Sequence, residues 1–407
     1  MVVVASIRFI PLGLVLLVPL FASIDKSMED AGRISGAGTL QVTRDITLRL
    51  LAPGIMAVGL LVLLISLGSF RVPLLIGKAN GIEVLAVTIY EAVSVAPQSF
   101  GLAMTQAVIL VVIALPLLYL YKRSLGATQK YATISGRGYD RNPIDVGKWR
   151  YAVFAFLCLF FLVAIVAPVL LLLYTSLLPY YVPPQSLQTL SAFSLRAYSA
   201  IFENERVMGS IVNSFVVAFF ATLLLIVGSV VTTWIVHKTD IRFRDALDYL
   251  SFGVIGLPSI PLAVGLIYVY LVYVPFGDVI YHSLAILVIA MYTRFISATV
   301  KVVEPGVIQV KRELLEAGQL SGDGVFQRLY NIVLPLIKES AQAAWAMRFS
   351  IIFMEMPVAV MLQSRNTEMV AAVLLTMQTQ AQFAQIAAFG MLIMAILGAM
   401  TLVVHRV

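Results

Sequence analysis

Long apolar runs without a charged residue constrain this chain more than any other feature. Residues 151–178, for example, contain no Asp, Glu, Lys or Arg. A membrane span needs about 20 such residues, and its backbone must satisfy its own hydrogen bonds in a helix or a closed barrel. The runs are continuous rather than alternating, which favours helices. With only 12% charged residues, against about 25% in soluble domains, the sequence predicts an all-α polytopic membrane protein.

The distribution of Lys and Arg orients the predicted spans. Hydropathy places nine of them, at 1–21, 51–70, 101–121, 150–175, 209–236, 248–274, 280–298, 341–360 and 383–404. If the basic segment 122–150 is cytoplasmic, the opposite loops carry only Arg71, Lys78, Arg196, Arg206 and Arg365. By the positive-inside rule the C-terminus is then cytoplasmic and the N-terminus lies outside. This topology accounts for the net charge of +7 through contact with the lipid bilayer, without nucleic acid.

Several kinds of chemistry find no support in the residues. Cys158 is the single cysteine, and the three histidines have no metal-ligand spacing. We therefore expect no metal site, no catalytic residue and no cofactor held by this chain. The phosphate-binding pattern G-x-x-x-x-G-K-[ST] is missing as well, so any ATP hydrolysis belongs to a separate partner. The sequence thus predicts a protein that is not itself an enzyme.

The start of the chain repeats near its end, at an offset of 316 − 30 = 286 residues. The identical pairs include Arg8 with Arg294, Phe9 with Phe295, Ala31 with Ala317, Gly32 with Gly318, Gly36 with Gly322 and Ile46 with Ile332. We therefore expect two homologous units of about three and six spans, at 1–121 and 150–407, joined by a basic cytoplasmic linker at 122–149. Since Met1 aligns with Leu287, in the middle of a span, we expect the first unit to be truncated at its N-terminus, with about three spans missing.

The most polar part of the repeat lies between two spans, as EAGQLSGDGVFQRLYNIVLP at 316–335. Small side chains at Ala317 and Gly318 allow another surface to approach closely. Gly322 permits a sharp turn because glycine adopts positive φ at little cost. Pro335 suits the first turn of the following helix. The pattern predicts a short exposed helix tied to the next span, which can transmit a push from a soluble partner into the membrane.

This spacing resembles the EAA loop of binding-protein-dependent ABC transporter permeases. The matching residues are Glu316, Ala317, Gly318, Gly322, Ile332, Leu334 and Pro335, within a loop at 313–335. The resemblance implies two type I-like permease units, with this loop coupled to one ATPase of a cytoplasmic ABC dimer. The degenerate copy at 29–53 offers Asp30, Ala31, Gly32 and Gly36 for the other ATPase, but Asp30 replaces the Glu and Arg49 replaces the Pro.

The arrangement of two permease units in this one chain resembles that of the iron(III) importers of bacterial inner membranes. That resemblance implies iron(III) as the substrate and a periplasmic substrate-binding protein as a partner. Polyamine, thiamine, sulfate and phosphonate stay open as substrates, because related permeases share the fold. A secondary transporter driven by an ion gradient is the alternative from another class. It would leave the two loops without a role.

Glu355 stands out within an apolar stretch, FSIIFMEMPVAVML. Charged residues inside spans are costly and are candidates for function. Pro357 and the polar residues 366–368 predict a broken or re-entrant segment, which is tolerated where it lines a cavity. We therefore expect Glu355 on the translocation pathway of a hard cation. Arg8 and Arg294, in equivalent spans, are expected to extend toward the cytoplasmic interface.

Overall fold

The computed structural model describes residues 1–24, 26–132, 147–179 and 193–406, and all regular elements within these ranges are helical. The α-helices are α1 Val2–Ala22, α2 Lys26–Ile34, α3 Thr39–Val42, α4 Leu48–Leu67, α5 Leu85–Ser94, α6 Phe100–Ala132, α7 Trp149–Phe161, α8 Ala167–Ser176, α9 Arg196–Phe202, α10 Glu205–Lys238, α11 Arg244–Gly253, α12 Ser259–Tyr268, α13 Gly277–Tyr281, α14 Leu284–Gln309, α15 Arg312–Leu320, α16 Val325–Arg328, α17 Leu334–Leu336, α18 Lys338–Phe353, α19 Pro357–Leu362, α20 Val370–Thr379 and α21 Phe383–Arg406. π-helical turns, such as Thr43–Thr47 and Leu329–Val333, directly connect some of these α-helices.

Seven helical segments of the described chain are long and apolar enough to cross a membrane, or up to nine if each of two bent pairs counts as one span. The predicted all-α membrane architecture is therefore confirmed. The seven are Val2–Ala22, Thr39–Leu67, Phe100–Gly126, Trp149–Ser176, Glu205–Lys238, Leu284–Gln309 and Phe383–Leu402. The division into three and six spans stays a prediction.

Two of the nine predicted spans have a different shape. The span expected at 248–274 is a pair of helical segments, Arg244–Gly256 and Ser259–Tyr273, bent by 111°. The span expected at 341–360 is interrupted, because α18 ends at Phe353 and α19 begins only at Pro357. Proline has no amide hydrogen and cannot continue the preceding helix, which explains this break. The broken segment predicted around Glu355 and Pro357 is thereby confirmed.

The chain forms two compact units, Met1–Ala164 and Ile165–Val407. Much of the predicted linker, residues 133–146, lies outside the described residues. Its first part, 122–132, continues helix α6. The domain boundaries of 121, 122–149 and 150 stay a prediction.

The core of the second unit is built on α10, which packs against α14 and α18. Asn204 caps α10, since its Oδ1 accepts from the amides of Arg206 at 3.1 Å and Val207 at 3.3 Å. Small residues let the helices approach closely, as is usual in membranes. At Gly228, a Cβ atom would lie 2.4 Å from the hydroxyl oxygen of Tyr292. The closely packed helices run between the two ends of the second unit. The polar residues described below lie at these ends.

Candidate functional site

The second loop helix, α15, ends in a glycine turn. Gly322 has φ +93° with nothing within 4 Å of a Cβ atom placed there, so glycine is needed for its conformation rather than for space. The amide of Asp323 donates to the carbonyl of Gly318 at 2.9 Å, and the amide of Gly322 to that of Gln319 at 3.1 Å. This pair of bonds is a Schellman motif. It ends the helix and turns the chain toward α16.

The first loop helix, α2, has the same geometry. Gly36 has φ +85°, and the amides of Ala37 and Gly36 donate to the carbonyls of Gly32 at 3.1 Å and Arg33 at 2.9 Å. An offset of 286 places α2 on α15, α3 on α16 and the π turn Thr43–Thr47 on Leu329–Val333, end to end. The sequence repeat is therefore also a repeat of backbone structure at these loops.

Each loop helix packs on the start of the next span through a glycine and an isoleucine. A Cβ atom at Gly318 would lie 2.8 Å from Cδ1 of Ile332, and one at Gly32 would lie 2.6 Å from Cδ1 of Ile46. The close approach predicted for Gly318 is thus made by the chain itself. Four of the motif residues, Gly32, Ile46, Gly318 and Ile332, fix the angle between loop helix and span.

The two copies differ at one supporting position. In the first, the hydroxyl of Thr47 donates to Oε1 of Glu29 at 2.7 Å. The equivalent residues in the second, Val333 and Leu315, are buried in an apolar cluster. A hydrogen bond therefore replaces apolar packing at the degenerate loop, a difference that the motif spacing did not reveal.

The C-terminal end of α10 packs against α15. Leu315 packs in a cluster that includes Trp234, Val303 and Val307. Nζ of Lys238 donates to the carbonyls of Ile308 at 3.0 Å and Val310 at 2.7 Å. These are free carbonyls at the C-terminal end of α14, where a cation is favourable. Lys238 thus joins α10 to the junction between α14 and α15.

An ion-pair group lies at the same end of the unit. Oε1 of Glu304 is 2.8 Å from Nε2 of His237, and Oε2 is 2.8 Å from Nζ of Lys301. Sequence reasoning missed these residues and Lys238, because they are charged groups at span ends with no motif to mark them. They bring α10 and α14 together beside the loop helix.

The remaining motif residues lie at the surface. Glu316, Ala317, Gly322, Leu334 and Pro335 are exposed, as are Ala31 and Gly36, whereas Asp30 is half-buried. Each loop helix also projects apolar side chains at equivalent positions. Leu320 is 90% exposed and Ile34 is 87% exposed, while Leu314 and Met28 are both 45% exposed. The two loop helices thus expose apolar side chains at the same two positions of the repeat.

Glu355 lies in the break between α18 and α19 and is 4% exposed. Its Oε1 atom is 3.5 Å from Nε of Arg294 on α14. The guanidinium carbons of Arg294 and Arg348 lie 5.1 Å and 5.8 Å from the centre of the Phe295 ring. The side chain of Arg294 therefore reaches a buried carboxylate, contrary to the expectation that it extends to the interface. Among the described residues, no three His, Cys, Asp or Glu side chains lie together.

The turn after α19 is held by the N-terminal part of α10. Glu368 forms a bidentate ion pair with Arg206. Nδ2 of Asn213 donates to the carbonyls of Asn366 at 3.0 Å and Glu368 at 3.1 Å. The amide of Val370 donates to the hydroxyl of Ser214 at 2.9 Å. Arg206, Asn213 and Glu368 line a polar cavity of about 750 Å³, at the end of α10 away from the loop helix. Only the polar run 366–368 had indicated this turn.

A helical membrane protein with two repeated loop helices corresponds to the membrane-spanning subunits of importers. The chain belongs to the family described as "Binding-protein-dependent transport system inner membrane component", whose model matches residues 1–124 and 238–407. The resemblance inferred from the loop spacing is thereby confirmed at the level of the family.

The matching relatives are mostly permeases named for iron. The chain is 22% identical over 403 residues to the ferric transport system permease protein FbpB of Actinobacillus pleuropneumoniae, which covers 97% of this chain and 56% of that protein. It is also 22% identical over 274 residues to the Fe(3+)-transport system permease protein FbpB 2 of Haemophilus influenzae, covering 65% of this chain and 49% of that protein. The chain thus spans about half the length of these relatives.

Two other matches carry different names. The melibiose/raffinose/stachyose import permease protein MelC of Bacillus subtilis is 26% identical over 154 residues, covering 36% of this chain and 51% of that protein. A crystal structure of a bacterial ABC transporter involved in the import of the acidic polysaccharide alginate has a TM-score of 0.51 at 13% identity, covering 63% of this chain and 93% of that chain. The second likeness supports the fold of an ABC importer permease.

Proposed function

We propose that this chain is the transmembrane permease subunit of an ATP-driven importer, and that α2 and α15 dock a cytoplasmic ABC ATPase dimer. The observation that carries the proposal is the repetition of the two loop helices, which share the same turn and the same exposed apolar positions. A repeated binding surface suits a partner with two equivalent subunits. Ile34 and Leu320 are the apolar contacts, and Glu316 and Asp30 are polar contacts beside them.

The contacts around α15 suggest how a push would reach the membrane. Lys238 and the apolar cluster connect α15 to α14. Gly318 packs on Ile332, which lies in the helical segment that leads into α17 and α18. These two helices carry Arg294 and Arg348, which both approach Phe295, and Arg294 also approaches Glu355. When the ATPase pair closes on ATP, it would move the loop helices as rigid bodies and open a translocation pathway. We place Glu355 on that pathway. ATP binds to the partner.

We infer iron(III), delivered by a periplasmic substrate-binding protein, as the substrate. Support comes from the match to a ferric permease that covers 97% of the chain. Polyamine, thiamine, sulfate and phosphonate are the other candidates. The proposed location is the bacterial inner membrane, with both loop helices and the C-terminus in the cytoplasm, in agreement with the positive-inside rule.

The docking surface is tested by co-purification with the ATPase. We expect the substitutions Leu320→Glu and Ile34→Glu each to reduce the recovered ATPase, and the double variant to abolish it, because a charge is then buried in the interface. Phe276→Glu is the matched control, since Phe276 is 83% exposed in a loop outside the two repeats. Full recovery of the ATPase by the double variant would reject the docking assignment.

The substrate is tested by uptake of radiolabelled iron(III) in cells that lack this gene, with and without the chain restored. We expect deletion to abolish ATP-dependent uptake and the chain to restore it. Unchanged uptake after deletion would reject iron(III) and leave the permease role in place. Uptake that persists without any ATPase would favour an ion-gradient-driven transporter instead.

A further inference from the structure

The charges around Phe295 in the second unit are unbalanced. Arg294 and Arg348 approach the ring of Phe295 at 5.1 Å and 5.8 Å. Glu355 provides the carboxylate, 3.5 Å from Arg294. Arginine stays protonated in proteins, so this group, which we call the arginine cluster (Arg294, Arg348 and Glu355), carries two positive charges and one negative charge.

Arg348 is the more deeply buried of the two arginines in the cluster. It is 6% exposed, and its buried Nε atom makes no hydrogen bond within the described part of the chain. Buried polar groups in folded proteins are nearly always hydrogen-bonded, and a buried cation without an acceptor is costly. The Nε atoms of Arg294 and Arg348 are therefore both available as donors to a further acceptor.

Arg294 of the arginine cluster lies on α14, a helix that is long and apolar enough to cross a membrane. Arg294 is 309 − 294 = 15 residues before the end of α14, which corresponds to about 22 Å along the helix. Arg294 is also 294 − 284 = 10 residues after the start of α14, so it lies in the middle part of this candidate membrane span. Charged groups at such depth face a protein interior or an aqueous path. The side chain of Arg294 is 25% exposed, whereas that of Glu355 is 6% exposed, so Arg294 is the more accessible member of this pair.

The repeat adds positive charge at the equivalent place in the first unit. Arg8 corresponds to Arg294, and its guanidinium carbon lies 5.7 Å from the centre of the Phe9 ring. The positions equivalent to Arg348 and Glu355 are Val62 and Ser69. Phe9 and Ser69 line a cavity of about 720 Å³. The first unit thus repeats the arginine without repeating the carboxylate.

We propose that the arginine cluster is a binding site for an anion, and that the substrate crosses the membrane as a negatively charged species, such as an iron(III) carboxylate chelate, rather than as a bare trivalent cation. Guanidinium groups donate paired hydrogen bonds to carboxylate and phosphate oxygens. A bare Fe³⁺ ion would be repelled by the net positive charge, more strongly here than in water. The chelate class rests on the proposed import of iron(III), whereas the anion site stands on the cluster alone.

The test measures binding of two probes to the full chain in lipid nanodiscs by calorimetry. Iron(III) citrate is the anionic probe, and hexaamminecobalt(III) is an inert trivalent cation. We expect the chain to bind the chelate and not the cobalt complex. Arg348→Gln should weaken chelate binding by about tenfold, the equivalent of one charge-assisted hydrogen bond. Arg348→Lys keeps the charge but loses the paired donors of the guanidinium, so its affinity should fall between those of wild type and Arg348→Gln. Arg365→Gln, at an exposed arginine outside the cluster, is the matched control and should have no effect.

The substitution Glu355→Gln gives the opposite prediction, because it removes the negative charge and should strengthen chelate binding. Two results would overturn the anion site. One is chelate binding that Arg348→Gln leaves unchanged, and the other is binding of the cobalt complex that Glu355→Gln weakens. Iron uptake in cells separates this inference from the proposed function. If deletion of the gene leaves uptake unchanged while the binding pattern holds, the iron assignment fails and the anion site remains.

Discussion

At the scale of single residues, the turn after each loop helix depends on one glycine. Gly322→Ala has room for its methyl group, but an L-residue at φ +93° is strained, by about 1–2 kcal/mol. We expect this variant to loosen the end of α15 and to reduce ATPase co-purification. Faster hydrogen exchange at the amides of Gly322 and Asp323, measured by mass spectrometry, checks the structural part.

The chain supplies its own control for this prediction two residues away. At Gly324 the φ angle is ordinary, and a Cβ atom would make only a normal 3.6 Å contact with Gln327. Gly324→Ala should therefore leave hydrogen exchange and ATPase recovery unchanged. Gly36→Ala and Gly38→Ala form the same pair in the first loop. Equal effects at both members of a pair would contradict the conformational explanation.

The glycines could be predicted from the sequence, whereas the partners of the buried charges could not. The conformational freedom of Gly322 and Gly36 is a local property, so the motif and its repeat were enough to indicate a turn. The pairing of Glu355 with Arg294 joins residues 61 positions apart (355 − 294) through the packing of α14 beside the break after α18. Such a contact depends on tertiary structure, which hydropathy and spacing do not contain.

At the scale of elements, the turn after α19 is predicted to depend on α10. Asn213→Ala removes two hydrogen bonds to the carbonyls of Asn366 and Glu368, which costs about 1–2 kcal/mol for a partly buried donor. We expect faster hydrogen exchange in residues 364–370 and unchanged exchange in α15. Asn331→Ala, at an exposed asparagine on the other side of the unit, should alter neither segment. Protection of 364–370 equal to wild type would argue against the clamp.

A second element-scale prediction concerns the junction between α14 and α15. Lys238→Met keeps the apolar stem but removes the donor to the carbonyls of Ile308 and Val310. Because Lys238 is partly exposed, we expect a loss of about 1 kcal/mol and faster exchange at the first amides of α15. Lys311→Met, at an exposed neighbour, is the control. No change in α15 would mean that the apolar cluster around Leu315 holds the junction alone.

Span positions could largely be predicted, but bends could not. Apolar runs report burial in lipid averaged over about 20 residues, and seven of the nine predicted positions correspond to spanning helical segments. The same average treats a helix bent by 111° and a straight one alike, so the shape of 248–274 was missed. Pro357 was a local signal, and it did indicate the break within 341–360.

At the scale of the whole molecule, the proposed topology places both loop helices in the cytoplasm. Cys158 is the single natural cysteine and is exposed, so a Cys158→Ala background allows labelling at one chosen site. Ile34→Cys and Leu320→Cys change residues that are 87% and 90% exposed. We expect both to react with a membrane-impermeant maleimide only in inverted membrane vesicles, because the positive-inside rule places both loops on that side.

Phe276→Cys tests the opposite side in the same experiment. Phe276 lies in the loop between α12 and α13 and is 83% exposed, and α14 then runs from this end of the unit to the loop helix α15. One span separates Phe276 from Leu320, so the two cysteines must react from opposite faces of the membrane. We therefore expect Phe276→Cys to react in intact spheroplasts and not in inverted vesicles. If Ile34 and Leu320 react from different faces, the two loop helices cannot dock one ATPase dimer, and the coupling role of α2 is lost while that of α15 remains.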